Sequence, residues 1–136
     1  MATPLVGSEM LDICLDKGYL KGDYLKCDFK KPIIETEDFT PEYIQETAYL
    51  LNLEFNFVRN VDYALGDYSK ALSGFLNAIK VKNDHAFAYY YSAKCFKKMG
   101  QSDNYNEYRR KFHDIYSTSD FWKEKVDLFE LEPLSA

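Results

Sequence analysis

Side chains able to do covalent or acid–base chemistry are few in this chain. The histidines are His85 and His113, and the cysteines are Cys14, Cys27 and Cys95. Nucleophilic catalysis needs a serine or cysteine beside a base that a third group orients. No motif of that kind frames either histidine. His85 is expected to face water at a helix N-terminus, and His113 to lie beside an inward Phe112 in a structural or solvated role. The cysteines have no metal-ligand spacing, so Cys95 reads as a small core residue. Neither G-x-x-x-x-G-K-[ST] nor G-x-G-x-x-G occurs, so no phosphate cradle is expected. The Glu35, Glu37 and Asp38 cluster reads as a solvated loop. The expectation is a non-enzyme with no catalytic residue, no metal and no cofactor.

The remaining composition favours binding over catalysis. The chain has 136 residues, 46% of them apolar, with twelve tyrosines, ten phenylalanines and one tryptophan. That is enough apolar area for one domain with a real core. Tyrosine packs like a core residue while its hydroxyl seeks a polar partner, which suits groove walls and interfaces. A formal net charge of −5 argues against nucleic acid and anionic membranes, which need a positive footprint. The basic runs Lys30-Lys31, Lys97-Lys98 and Arg109-Arg110-Lys111 are short. The first residues lack the basic and apolar regions of a secretory signal. No apolar run reaches the ~18 residues of a membrane span. With an odd set of reduced cysteines, the expected location is intracellular, cytoplasmic or nuclear.

The elements that must position these side chains are helical. Residues 1–40 form an irregular arm: a short helix capped by Ser8 and closed by Gly18, then an extended stretch around Pro32 and Ile33-Ile34. From residue 41 to 136 the pattern is a helical domain. Thr40 caps a long helix whose first turn holds Pro41. No glycine or proline interrupts it before Gly66. Two stripes run along it: Ile44, Ala48, Leu51, Phe55 and Val58, then Leu50, Leu53, Phe57, Val61 and Ala64. Two apolar faces imply a helix packed on both sides. A second helix follows through Lys82, and Asn83-Asp84 is expected to cap a third that Gly100 closes. A fourth starts at Ser102 or Asp103. A fifth, over 119–131, carries Phe121, Trp122, Val126, Leu128 and Phe129 and is stopped by Pro133. The fold class is all-α, built of antiparallel hairpins with short connections.

Gly66 and Gly100 are 34 residues apart, and each ends one helix just before another begins. Ala71, Ala78 and Ala93 place small residues where paired helices would touch. With Phe55, Val58, Phe75, Tyr89 and Phe96, these positions resemble the tetratricopeptide repeat (TPR) family, whose units span ~34 residues. The likeness covers about residues 52–116. It departs at Arg59, Asp62 and Asn83, and in the fourth helix, where Tyr105, Arg109 and Phe112 replace the pattern's residues. The resemblance implies about two repeats, with the fifth helix as a cap.

It also implies a concave groove lined by the first helix of each repeat. The corresponding partner-binding candidates are Asn56, Asn60, Tyr63, Phe87, Tyr90, Tyr91, Lys94 and Lys97, with Leu53 on the same face. Asparagine can hold peptide backbone, tyrosine supplies rigid contact area and lysine favours acidic groups. The chaperone-binding subset would need lysines at positions 56 and 87, where this chain has Asn56 and Phe87, and only Asn60 agrees. That role is rejected. The resulting expectation is an adaptor or scaffold that docks a peptide or helix of a partner protein. The alternative is a self-assembling, homodimeric subunit of a larger complex. Nucleic-acid binding through Lys94, Lys97, Lys98, Arg109 and Arg110 ranks third.

Overall fold

A computed structural model of the protein describes residues 3–26 and 31–135. The chain divides into two compact units, residues 1–52 and 53–136. The described residues are helical, apart from loops and one isolated antiparallel bridge between Leu20 and Ile34.

In the first unit, helix α1 (Glu9–Asp16) begins where the Ser8 hydroxyl accepts a hydrogen bond from the Leu11 amide. It ends at Gly18, whose φ of +67° lies in the left-handed region that glycine adopts without steric cost. A 3-10 turn spans Tyr24–Lys26. The Leu20–Ile34 bridge is framed by Lys21 N–H donating to the Ile33 carbonyl and Glu35 N–H donating to that of Tyr19. Lys21 and Glu35 form an ion pair at 2.9 Å beside it. Part of the expected extended stretch, residues 27–30, lies outside the described residues, as does Cys27. Helix α2 (Pro41–Leu53) starts as its sequence predicts, with Thr40 Oγ1 accepting from the Tyr43 amide.

The helix does not run unbroken to Gly66. It passes into a π turn over Glu54–Val58, stops at Arg59, and restarts as α3 (Val61–Ala64). Two side chains explain the break. Arg59 N–H reaches back to the Glu54 carbonyl at 2.7 Å while its guanidinium pairs with the Glu54 carboxylate at 2.8 Å. Asn60 Oδ1 accepts from the Tyr63 amide at 2.9 Å and caps a new helix, the competition with backbone bonding that asparagine offers. The π turn holds one residue more per turn than an α-helix, so the two predicted stripes lose their phase. Leu53 and Phe57 are buried, whereas Leu51, Phe55 and Val61 are exposed.

The second unit is completed by α4 (Tyr68–Val81), α5 (Ala86–Lys98), α6 (Ser102–Thr118) and α7 (Asp120–Leu128). The α3–α4 and α5–α6 junctions are the same turn. Gly66 N–H donates to Tyr63 and Asp67 N–H to Asp62; Gly100 N–H donates to Lys97 and Gln101 N–H to Phe96. This bond pair with a left-handed glycine is the Schellman helix stop. Helix α5 is the centre, packed against α4 and α6 and touching α7 and the π turn. Residues Ala86 to Ala93 are all buried, as expected of a helix that is apolar all round. Ala71 and Ala93 are buried in this packing and Ala78 is half-buried.

Two helix ends differ from the sequence reading. His85, not Asn83-Asp84, caps α5, its Nδ1 accepting from the Ala88 amide at 3.3 Å. Helix α7 stops at Leu128, ahead of Pro133, through a turn of the same kind: Glu130 N–H donates to Asp127 and Leu131 N–H to Val126. Glu130, with φ +49°, stands in the place a glycine takes elsewhere.

Candidate functional site

An ammonium among tyrosine rings marks the site. Lys94 Nζ, on the outer side of α5, lies 5.4 Å from the Tyr90 ring, 5.7 Å from Tyr91 and 5.8 Å from Tyr63. These distances are within the range of cation–π attraction. Tyr90 and Lys94 are four residues apart, one turn along the same helix face. Tyr63 reaches the cluster from α3, edge-on to Tyr91 at 5.9 Å and to Tyr68 at 5.3 Å. One turn further along α5, Lys97 Nζ lies 5.1 Å from the Tyr105 ring of α6, and the Arg109 guanidinium lies 6.0 Å from that ring.

Across this face runs the non-helical tail, residues 131–135. The Tyr90 hydroxyl donates to the Glu132 carbonyl at 2.9 Å, and the Tyr105 hydroxyl donates to the Ser135 carbonyl. Lys97 Nζ donates to Ser135 Oγ at 3.1 Å. Leu134 is buried. Tyr90, Lys94, Lys97 and Tyr105 together with Glu132, Pro133, Leu134 and Ser135 line a pocket of about 160 Å³. Burial, reinforced by the nearby Glu132 charge, pushes the Tyr90 hydroxyl pKa up to about 12. Tyr90 therefore stays a proton donor throughout the ordinary pH range.

The predicted residues separate into three groups. Tyr63, Tyr90, Tyr91, Lys94 and Lys97 converge on the tail-bearing face. Tyr91 lies mostly beneath that face, packed on Phe75, Phe57 and Tyr63, and burial raises its pKa. Phe87 is fully buried among Phe57, Trp122 and Phe129, so its side chain offers no surface to a partner. Leu53 is likewise fully buried. Asn56 and Asn60 sit at the helix break, where Asn60 Nδ2 donates to the Asn56 carbonyl at 3.0 Å and Asn60 Oδ1 caps α3. Asn60's amide is thus committed to backbone bonds, while the Asn56 side chain is exposed. Sequence reasoning named Arg109 only for the third-ranked nucleic-acid reading, did not place Tyr105 on this face, and missed the tail. Leu134, an apolar residue just past Pro133, was the available signal.

Two of the titratable groups elsewhere, His85 and Cys95, are built into the core. His85 does not face water. Its ring lies 4.7 Å from Phe57 and 4.6 Å from Trp122, and burial lowers its pKa to about 4. His113 is exposed beside Phe112. Cys95 is fully buried and its thiol is pushed up to about 12 by desolvation, the opposite of an activated thiolate. No group of three or more His, Cys, Asp or Glu among the described residues could hold a metal ion. None of the described helices is long and apolar enough to cross a membrane. In comparisons with known proteins, the chain matches no family model, no curated protein and no solved structure.

Proposed function

We propose that the protein is a non-enzymatic interaction module, a TPR-like set of helical hairpins that docks an extended segment of a partner protein on the face formed by Tyr63, Tyr90, Lys94, Lys97 and Tyr105. One observation carries this reading: a non-helical stretch of polypeptide, residues 131–135, already lies on that face, held at two of its backbone carbonyls by tyrosine hydroxyls. Backbone-directed donors beside an apolar seat are how grooves bind extended peptides of varied sequence. Buried, unpaired Cys14 and Cys95 support an intracellular setting and the role of adaptor or scaffold within a complex.

Panning a phage-displayed peptide library against the wild type and a Lys94→Glu/Lys97→Glu variant tests the function. The reading expects peptides enriched on the wild type that the variant does not retain. Equal enrichment on both, or none on either, overturns it. A second reading, a self-assembling subunit, draws on exposed Phe55, Val61 and Leu65. Sedimentation equilibrium showing only monomer at millimolar concentration removes that alternative.

A further inference from the structure

We infer that the tail is a displaceable internal ligand, and that the groove's partner is an extended segment with a proline, an aliphatic residue and a hydroxyl residue in succession and an acidic side chain placed to reach Lys94. This deepens the docking function proposed above and rests on it.

The contacts that hold the tail read its backbone and one anchor. Tyr90 and Tyr105 donate to the carbonyls of Glu132 and Ser135, an interaction any residue at those places could make. Specificity comes from three other features. Leu134 fills the apolar seat with 9% of its surface exposed. Pro133 lacks an amide hydrogen, so it enters the pocket lining with no donor left to satisfy, and its ring pre-sets the backbone. Ser135 Oγ accepts from Lys97. A segment from another chain with the same succession would satisfy the same donors.

The tail leaves the site incompletely used. The pocket of about 160 Å³ between tail and helices has Lys94 in its lining. The Lys94 ammonium rests on three rings and has no carboxylate partner among the described residues. Arg109 adds a further cation at Tyr105. A partner segment that carries an acidic side chain to Lys94 gains a charge-assisted bond that the internal ligand does not make. Such a segment would displace the tail, and the tail would filter out weaker ones. Glu130, a non-glycine residue at φ +49°, lies where the tail leaves α7 and provides the hinge.

Isothermal titration calorimetry with an acetylated, amidated peptide of residues 130–135 tests the inference on full-length chains. The chains are wild type, Leu134→Asp, which ejects the anchor, and Leu134→Asp with Lys97→Glu, which removes the donor to Ser135 Oγ, with helicity and melting followed by circular dichroism. A tail that occupies the groove lowers the affinity of the wild type by the fraction of time the groove is filled, so Leu134→Asp should bind about tenfold tighter or more. The added Lys97→Glu should abolish the gain. Equal affinity for wild type and Leu134→Asp, or no binding to a well-folded Leu134→Asp, overturns the inference. Should Leu134→Asp lose helicity, the milder Leu134→Ala, which weakens the anchor and leaves every groove donor in place, must bind the peptide more tightly than wild type, or the tail is a fixed strap and the inference falls. Library peptides that bind both chains equally through Lys94 and Lys97 would sink tail competition alone and leave the docking function standing. Absence of any groove-dependent binder would remove both.

Discussion

Tyr90 and Glu132 are 42 residues apart in sequence, and the Tyr90 hydroxyl meets the Glu132 carbonyl at 2.9 Å. The bond fastens the middle of the central helix to the tail. Tyr90→Phe keeps the ring and its packing on Tyr91 and Phe112 and deletes the donor. The expected loss is roughly 0.5–1.5 kcal/mol of unfolding free energy, read from urea denaturation. Amide exchange over residues 131–135 should accelerate more than that of α5.

Glu130 occupies the left-handed position that Gly66 and Gly100 hold in the equivalent turns. A side chain there is strained, and glycine relieves the strain while adding freedom to the unfolded chain. Glu130→Gly is expected to raise stability by roughly 0.5–1 kcal/mol, visible as a higher midpoint in thermal melts.

His85 titrates against the fold. Burial is the main reason its pKa falls from 6.5 to about 4; Lys82 lowers it further, and its own backbone hydrogen bond and Asp84 act in the opposite direction. Because the folded value is depressed, the neutral ring's stabilisation is complete above pH 6.5 and is lost as pH falls toward 4, where the unfolded state takes the proton first. The loss is on the order of 3 kcal/mol or a little more at ~1.4 kcal/mol per pKa unit. His85→Asn keeps an acceptor to cap α5 and lacks the titration. Calorimetric melting temperatures should therefore fall less for the variant than for wild type between about pH 7 and about pH 4.5.

Ser92 is fully buried, and its hydroxyl has no hydrogen-bond partner among the described residues. Leaving such a group unpaired costs more than removing it, and alanine is also the better helix former. Ser92→Ala is expected to stabilise the protein by roughly 1 kcal/mol, measured by chemical denaturation.

Ala93 is fully buried on α5, whereas Ala78 on α4 is half-buried. Ala93→Leu inserts three carbons into a filled interior and should cost about 1–3 kcal/mol or more. Ala78→Leu has an open side to relax into and should cost well under half of that. Equal losses in denaturant midpoints would contradict the packing described.

Much of the helical architecture was legible because its signals are local. Ser8, Thr40, Gly18, Gly66 and Gly100 mark helix ends through their own side chains or their freedom at positive φ, and each does so in the structure. The break at Arg59-Asn60 was not legible. Neither residue is a strong helix breaker, and the π turn arises from their joint reach to Glu54, Asn56 and Tyr63. Of the two expected apolar faces, Leu53 and Phe57 of the one enter the core, while Leu51 and Phe55 of the other stay exposed. At the candidate site, the spacing of Tyr90, Lys94 and Lys97 along one helix was readable. Phe87 shares their helix but points into the aromatic core, because α7 brings Trp122 and Phe129 to it. Contacts made by a later element, like the tail on Tyr90 and Tyr105, leave no periodic trace in the residues they cover.

The single indole of the chain, Trp122, is fully buried on α7 with the His85 ring tilted against it at 4.6 Å. The molecule thus carries its own optical gauge. Fluorescence excited in this one ring originates from a dry setting, and a shift to longer wavelength would register the final helix lifting away, with no dye attached.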